Sequence, residues 1–209
     1  MSLPLSGRLA RVGLPLRTER LLLYAPSASR DLELVELLED PGVARWTTIP
    51  RPYTRRDAAE FRRRAAASRR KGTDLALQIV LRADGRLVGG VGLHGLNPRR
   101  LRGELGYWVG RPFRRQGYAV EASRRLLRLG FAELGLHRIE AHVFPGNVGS
   151  TKVLRSLGFS REGRLRQSFR HPSLGWRDEL LYGRLEDGFV RSAGERPVRS
   201  RSSSPGRTR

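Results

Sequence analysis

Glu104–Ala119 reads ELGYWVGRPFRRQGYA, and Asn147–Phe159 reads NVGSTKVLRSLGF. In the first, a strand-like run ends in a basic, glycine-containing loop that opens an amphipathic helix. The first-turn amides of such a helix have no intrahelical acceptors and carry the positive end of its dipole, so they suit a diphosphate. Gly117 allows a positive φ and a close backbone approach, and Ala119 is small enough not to obstruct. Arg114 and Arg115 can add charge-assisted hydrogen bonds. Taken alone, the loop is weak evidence and reads also as a tight turn before a surface helix. The second stretch supplies a short helix with Asn147 at its start and Gly158-Phe159 just past its end, which sets Asn147 and Ser150 beside the loop. Together the two stretches point to an enzyme that holds a coenzyme by its diphosphate.

Working outward, Arg20–Ala25 predicts a first strand. Ser29 reads as the cap of a helix to about Glu39, with Leu32, Val35, Leu37 and Leu38 as its apolar stripe and Asp40-Pro41-Gly42 as its stop. A loop carrying Trp46, Pro50, Pro52 and Tyr53 follows. Thr54-Arg55-Arg56-Asp57 is a capping-box variant that opens a helix to about Arg70. Leu75–Arg82, Leu87–Leu96 and Leu101–Val109, separated by Ala83-Asp84-Gly85 and Asn97-Pro98, predict an antiparallel meander. Leu126, Leu127, Phe131 and Leu134 give the Tyr118–Leu134 helix one buried face. His137–Phe144 predicts a strand, Asn147–Leu157 a helix stopped by Gly158, and Gly163–Phe169 and Arg177–Leu185 two last strands. The order is β-α-α-β-β-β-α-β-α-β-β, a mixed sheet with helices on both faces in an α/β or α+β sandwich.

Length and apolar content, 209 residues and 38%, allow one core. Residues 1–17 hold no acid and little periodicity, and read as a flexible N-terminal segment. Residues 188–209, rich in Arg, Ser, Pro and Gly, read as a disordered tail. The folded domain is expected over 18–187. Cysteine is absent, which removes disulfides and thiolate metal sites. His94, His137, His142 and His171 lack metal-ligand spacing, so no metal is expected. Arg8, Arg11, Arg17 and Arg20 interrupt any signal-like apolar core, and no run is long enough to span a bilayer, so a cytoplasmic location without membrane association is expected. The net charge of +21 predicts attraction to polyanions such as ribosomal RNA, yet 39 of the 41 basic residues are Arg, a skew that a GC-rich coding bias also produces.

Arg114-x-x-Gly117-x-Ala119 is similar to the acyl-CoA loop of the GNAT-superfamily N-acyltransferases. Asn147-x-x-Ser150 with Leu154 and Leu157-Gly158-Phe159 resembles the superfamily's next motif. The resemblance runs over roughly Thr18–Leu185. It is nearest the branch resembling the ribosomal-protein N-terminal acetyltransferases RimJ and RimL, on Arg20-Leu21-Leu22-Leu23, Glu104–Val109 and Gly135-Leu136-His137-Arg138. It implies the GNAT fold, with a mostly antiparallel sheet splayed at the cofactor site, and acetyl-CoA as co-substrate. The pantetheine would lie between Leu101–Val109 and His137–Phe144. Backbone groups of Trp108 and Val109 would hold its amides, and Arg114, Arg115, Gln116, Gly117, Tyr118 and Ala119 would hold the pyrophosphate.

The resemblance further implies direct attack by an amine, with a protein N-terminus as acceptor. A small amine or an aminoglycoside is the alternative, although the acceptor loop is short of acids. A non-catalytic scaffold bound to RNA or the ribosome is the rival from another class, and homodimers are common in the family. An α-amine, with a pKa of about 7.7–8.0, is roughly a tenth neutral at pH 7, whereas a lysine near 10.4 is neutral less than one time in about a thousand. A base helps either. Glu104, acting through a water, is the candidate, and it reads also as a surface carboxylate paired with an Arg. Asn147 reads as helix cap and ligand contact at once. Ser150, or a water it holds, is the candidate donor to the departing sulfur, because the position where many relatives carry a tyrosine acid is Leu154. His94, His137 and His142 are alternative proton carriers with structural readings of their own. Trp46 and Tyr53 match the loop that contacts the acceptor, and read also as aromatic anchors on the core.

Overall fold

The meander predicted from alternating apolar residues is the spine of the molecule. A computed structural model of the chain describes residues 3–172 and 174–186. Strands β1 (Leu16–Arg17), β2 (Leu21–Tyr24), β3 (Leu75–Leu81), β4 (Leu87–Asn97), β5 (Arg102–Val109), β6 (Arg138–Val143), β7 (Ser160–His171) and β8 (Gly175–Leu185) form one sheet in the order β1-β2-β3-β4-β5-β6-β8-β7. Neighbours pair antiparallel except β5 and β6. Each strand alternates its side chains between two layers. Leu75, Leu77 and Ile79 of β3 point into a core that helix α5 (Tyr118–Arg128) closes with Ala122, Leu126 and Leu127. Val80 and Leu87 point the other way, onto Leu34 and Leu38 of α2 (Asp31–Leu38), Val43 of α3 (Pro41–Trp46) and Ala58 of α4 (Arg55–Lys71).

Three expectations change. The segment 1–17, expected to be flexible, is built into the fold where it is described. Helix α1 (Leu5–Ala10) and β1 send Leu5, Leu9, Val12 and Leu16 into the α5-side core, and Arg69 donates to the Val12 carbonyl at 2.6 Å. Leu5 and Leu9 stand one helical turn apart, but six residues are too few for a helical period to emerge from the sequence. Each fully buried leucine is worth about 1.5–3 kcal/mol.

Helix α2 begins later than expected and in a different phase. Ser27, not Ser29, caps a 3₁₀ turn over Ala28–Arg30, and the α-helix starts at Asp31. That turn rotates the stripe to Leu34 and Leu38, leaving Leu32 54% exposed. Asp40-Pro41-Gly42, read as a stop, is a start. The Asp40 carboxylate accepts from the Gly42 amide at 2.9 Å, and Pro41 sits in the first turn of α3, where its missing N–H costs nothing. The Thr54–Asp57 capping box is present, and Gly72 at φ +78° ends α4. The predicted tail 188–209 lies outside the described residues.

Candidate active site

The sheet opens at its one parallel junction. β5 and β6 pair only at Arg102↔Arg138, Gly103↔Ile139 and Glu104↔Glu140. Beyond Glu104 the two strands part, while β5 stays on β4 to Val109 and β6 stays on β8 to Val143. The hydrogen bonds at the two ends fix which groups face the notch. The Leu101 carbonyl accepts from His137 and Arg138 on the β6 side, and the Gly110 amide donates to Val88 on the β4 side. Main-chain groups alternate along a strand. Leu105, Tyr107 and Val109 therefore turn their amides into the notch, and Trp108 turns its own toward β4. Of the Trp108–Val109 pair expected to meet a pantetheine, Val109 has its amide facing the notch and Trp108 has its amide facing β4. Buried amides left by a parting of strands need another partner.

The chain leaves β5 into a 3₁₀ turn, Arg111–Phe113, then passes Arg115 at φ +65° and Gly117 at φ +83° into α5. No side chain caps the opening turn of α5. Left-handed residues alternating with ordinary ones turn successive N–H groups inward, a nest for an anion. Arg20 braces this loop, donating to the Gln116 carbonyl at 3.0 Å and to Glu121 at 2.7 Å, with its guanidinium 4.8 Å from the Tyr118 ring centroid. Partial burial works against ionisation of Glu121, but hydrogen bonds from Thr18 and Arg20 outweigh it and hold the carboxyl below the usual range. Arg114 is placed otherwise than the diphosphate reading expects. Its guanidinium is tied to Asp40 and to the Val109 carbonyl, so it fastens the loop to α3. Arg115 stays exposed, and Lys152, which the sequence reading passed over, lines the same groove. The groove holds about 570 Å³ between Phe113, Gly117 and Ala119 on one bank and Val148, Lys152 and Val153 on the other.

Helix α6 (Val148–Ser156) forms the second bank. The Asn147 side chain accepts from the Ser150 amide at 3.1 Å, the cap expected of it. The Ser150 carbonyl accepts from the Tyr107 hydroxyl at 3.2 Å, and burial pushes that phenol up to about 12. Leu154, one turn on, is fully buried.

A second cavity of about 660 Å³ lies on the opposite layer, walled by Ile49, Pro50, Tyr53, Phe61 and Trp108, with Glu104 on its floor. Trp46, Thr47, Tyr107, Trp108, Asn147 and Ser150 line both spaces, so the two meet at one junction. Solvent reaches Glu104, but the cleft closes around it. Loss of hydration raises its carboxyl above the usual value, against the pull of His142 and His94, and the nearby Glu179 and Glu140 raise it further. His94 stands 3.5 Å from Asp74, and His142 stands 3.6 Å from Glu179. His137 lines neither space. Tyr53 is mostly core, 8% exposed, with burial pushing its hydroxyl up to about 12.

Two features of this cavity escaped the sequence reading. Helix α4 contributes Asp57 and Glu60, supplying the acids that the loop lacks. The floor is glycine: a Cβ at Gly90 would come within 2.6 Å of the Trp108 indole nitrogen, and one at Gly92 within 2.6 Å of the His94 ring. Gly89-Gly90-x-Gly92 inside a strand pattern was the available signal, since interior strand glycines mark a close approach.

The acetyltransferase (GNAT) domain family matches residues 20–160. The chain is similar to the N-acetyltransferase p20 of Bacillus licheniformis, 34% identical over 158 residues, which cover 72% of this chain and 85% of that protein. Among solved structures it resembles Mycobacterium smegmatis RimJ in complex with CoA-disulfide, with a TM-score of 0.72 and 25% identity over 80% of this chain and 83% of that one. It shares its fold with a ribosomal-protein-S5-alanine acetyltransferase from Vibrio fischeri, with a TM-score of 0.74 and 19% identity over 85% of this chain and 99% of that one.

Proposed function

The chain belongs to the GNAT acetyltransferase family and is an N-acetyltransferase; from that premise we propose that it moves an acetyl group from acetyl-CoA to the α-amine of a protein N-terminus by direct attack. One observation carries this reading. A groove ending at an uncapped helix N-terminus meets a cavity floored by a carboxylate, and they meet at a single junction. A bound acetyl-CoA supplies an activated acetyl group, and the chain's part is to hold it and to prepare the amine. Amides around Arg115–Ala119 hold the diphosphate, with Arg115 and Lys152 adding charge. The notch amides of Tyr107 and Val109 hold the pantetheine, which completes the main-chain bonding that β6 leaves open.

Glu104 takes the amine's proton through a water in the acceptor cavity. Burial raises its pKa and makes it a better base than an ordinary carboxylate, while His142 and His94 pull the other way. The chain has no cysteine to form an acyl-enzyme. An α-amine needs less help than a lysine, which favours a single carboxylate with no stronger base. Such chemistry fits a cytoplasmic location. Among the described residues no helix is long and apolar enough to cross a membrane.

The test is calorimetry with acetyl-CoA followed by a thiol-release assay across N-terminal peptides, polyamines and aminoglycosides. Tight acetyl-CoA binding with turnover on peptides supports the proposal. Turnover confined to polyamines or aminoglycosides moves the acceptor to a small cation, which Asp57 and Glu60 would serve. No acetyl-CoA binding, with salt-sensitive RNA affinity instead, overturns the catalytic reading.

A further inference from the structure

We propose that the Tyr107 hydroxyl is the proton donor to the sulfur that leaves the acetyl group, an assignment that rests on the acetyl-CoA reading above. Tyr107 belongs to the small set of residues lining both the coenzyme groove and the acceptor cavity, and an acetyl group passing from one to the other crosses at that set. Its hydroxyl is held by a single spare contact. The Ser150 carbonyl it meets at 3.2 Å lies in the first turn of α6, where a helical N–H already serves that oxygen. Turning the phenol toward a sulfur therefore leaves no helix bond unmade.

The other groups at the junction serve less well. Thr47 donates its hydroxyl proton to the Val43 carbonyl at 2.8 Å. The Asn147 oxygen is occupied by the Ser150 amide. Trp46 and Trp108 carry indole N–H groups that do not give up a proton. Ser150 offers an aliphatic hydroxyl, a weaker acid than a phenol. Leu154, one turn along α6, brings no exchangeable proton at all. Burial keeps the phenol protonated at every working pH, since it is pushed up to about 12.

The step balances without a further reactant. The neutral amine forms its bond to the acetyl carbon, the carbon–sulfur bond breaks, and the electron pair stays on sulfur. Tyr107 passes its proton to that sulfur, giving the free thiol, and regains one from water in the acceptor cavity. The amine's own proton leaves through Glu104 to the same water.

The discriminating experiment compares CoA with desulfo-CoA by calorimetry, in the wild type and in Tyr107→Phe, together with steady-state kinetics. The wild type binds CoA more tightly than desulfo-CoA. Tyr107→Phe loses that difference and leaves desulfo-CoA binding as it was. In kinetics it lowers kcat by roughly 10²-fold, the scale of one general acid, with KM for acetyl-CoA unchanged. A variant that weakens both ligands equally, or that keeps full kcat, overturns the assignment. A wild type that binds neither ligand overturns the acetyl-CoA reading itself, a different failure. Should Tyr107→Phe not fold, 3,5-difluorotyrosine at position 107 keeps the shape with a more acidic phenol. The assignment then requires an alkaline loss of activity that the unmodified enzyme lacks, and an unchanged pH profile refutes it.

Discussion

The coenzyme groove is built largely from two short stretches of chain and depends on unpaired amides, whereas the acceptor cavity gathers side chains from elements far apart in sequence. The groove draws on the β5 edge, the loop and the start of α5 within Tyr107–Val120, on the first half of α6 and its lead-in from Gly146 to Val153, and on Gly42, Val43, Trp46 and Thr47 around α3. The cavity gathers Leu34 from α2, Trp46 from α3, Glu60 from α4, Gly90 from β4 and Glu104 from β5. A backbone site is tuned by conformation, so it tolerates few changes and repeats from relative to relative. A side-chain site is tuned by composition, so its acceptor can differ while the fold stays the same. The two regions should therefore break in different ways.

The largest effect is expected at Gly117. Leucine there must adopt φ +83°, a conformation that side-chain-bearing residues avoid, and its side chain would project from the opening turn of α5 beside Arg20. Gly117→Leu should cost acetyl-CoA affinity at least about 100-fold by calorimetry, equivalent to roughly 2.7 kcal/mol. Peptide affinity measured without coenzyme should not change. Equal losses for both ligands would mean that the two regions are not separable.

Glu104→Gln comes next and acts only on chemistry. Removing the base should lower kcat/KM by about 10²-fold and leave acetyl-CoA binding intact. The sign of its pH dependence follows from the raised carboxyl. The ionised form is the active one, so wild-type activity climbs as pH rises through that elevated value, with a further rise as the α-amine loses its proton. The variant should keep only the second rise. A lower limb that persists in Glu104→Gln would assign the base elsewhere.

How much of this was legible follows the same division. The meander, the capping box at Thr54–Asp57, the α5 opening and the Asn147 cap are local patterns, and the sequence carried each of them. The tie of Arg114 to Asp40 is not legible locally, because the two lie 74 positions apart and Asp40 also caps a helix where the sequence reads as a stop. Tyr107 reads in the sequence only as part of the Leu101–Val109 strand, since its meeting with Ser150 depends on how β5 lies against α6. Asp57 and Glu60 were seen as helix residues only. Their place on the cavity wall depends on the pose of α4 against the sheet, which no local pattern encodes.

A smaller effect is expected at Glu60. Its carboxylate is half exposed and loosely matched with Arg64 at 3.8 Å, so it retains spare charge toward the cavity. Glu60→Gln should raise KM for positively charged acceptor peptides by about two- to fivefold, the size of an exposed ion pair. It should leave kcat and KM for acetyl-CoA unchanged, and the effect should fade as salt is added. An unchanged KM across differently charged peptides would remove α4 from acceptor recognition.

The smallest change at neutral pH, and the one that joins the two regions, concerns Glu121. It collects the Thr18 hydroxyl, the Arg20 amide and the Arg20 guanidinium, and Arg20 in turn holds the Gln116 carbonyl under the phosphate loop. Because the folded protein holds this carboxyl below its unfolded value, the ionised form contributes stability above the unfolded pKa, and that contribution is lost as pH falls through the lower, folded one. Glu121→Gln should therefore melt below the wild type near pH 7, and the gap should close as the solution is acidified past the carboxylate range. The same variant loosens Arg20, so acetyl-CoA affinity should slip while acceptor KM holds. Arg20 holds the loop by the Gln116 carbonyl, so its loss frees the backbone without removing any amide. That makes the affinity loss one of preorganisation, and it should shrink at low temperature, where the loop's lost order costs less. An affinity loss that instead tracks ionic strength would mean that Arg20 meets the phosphates directly.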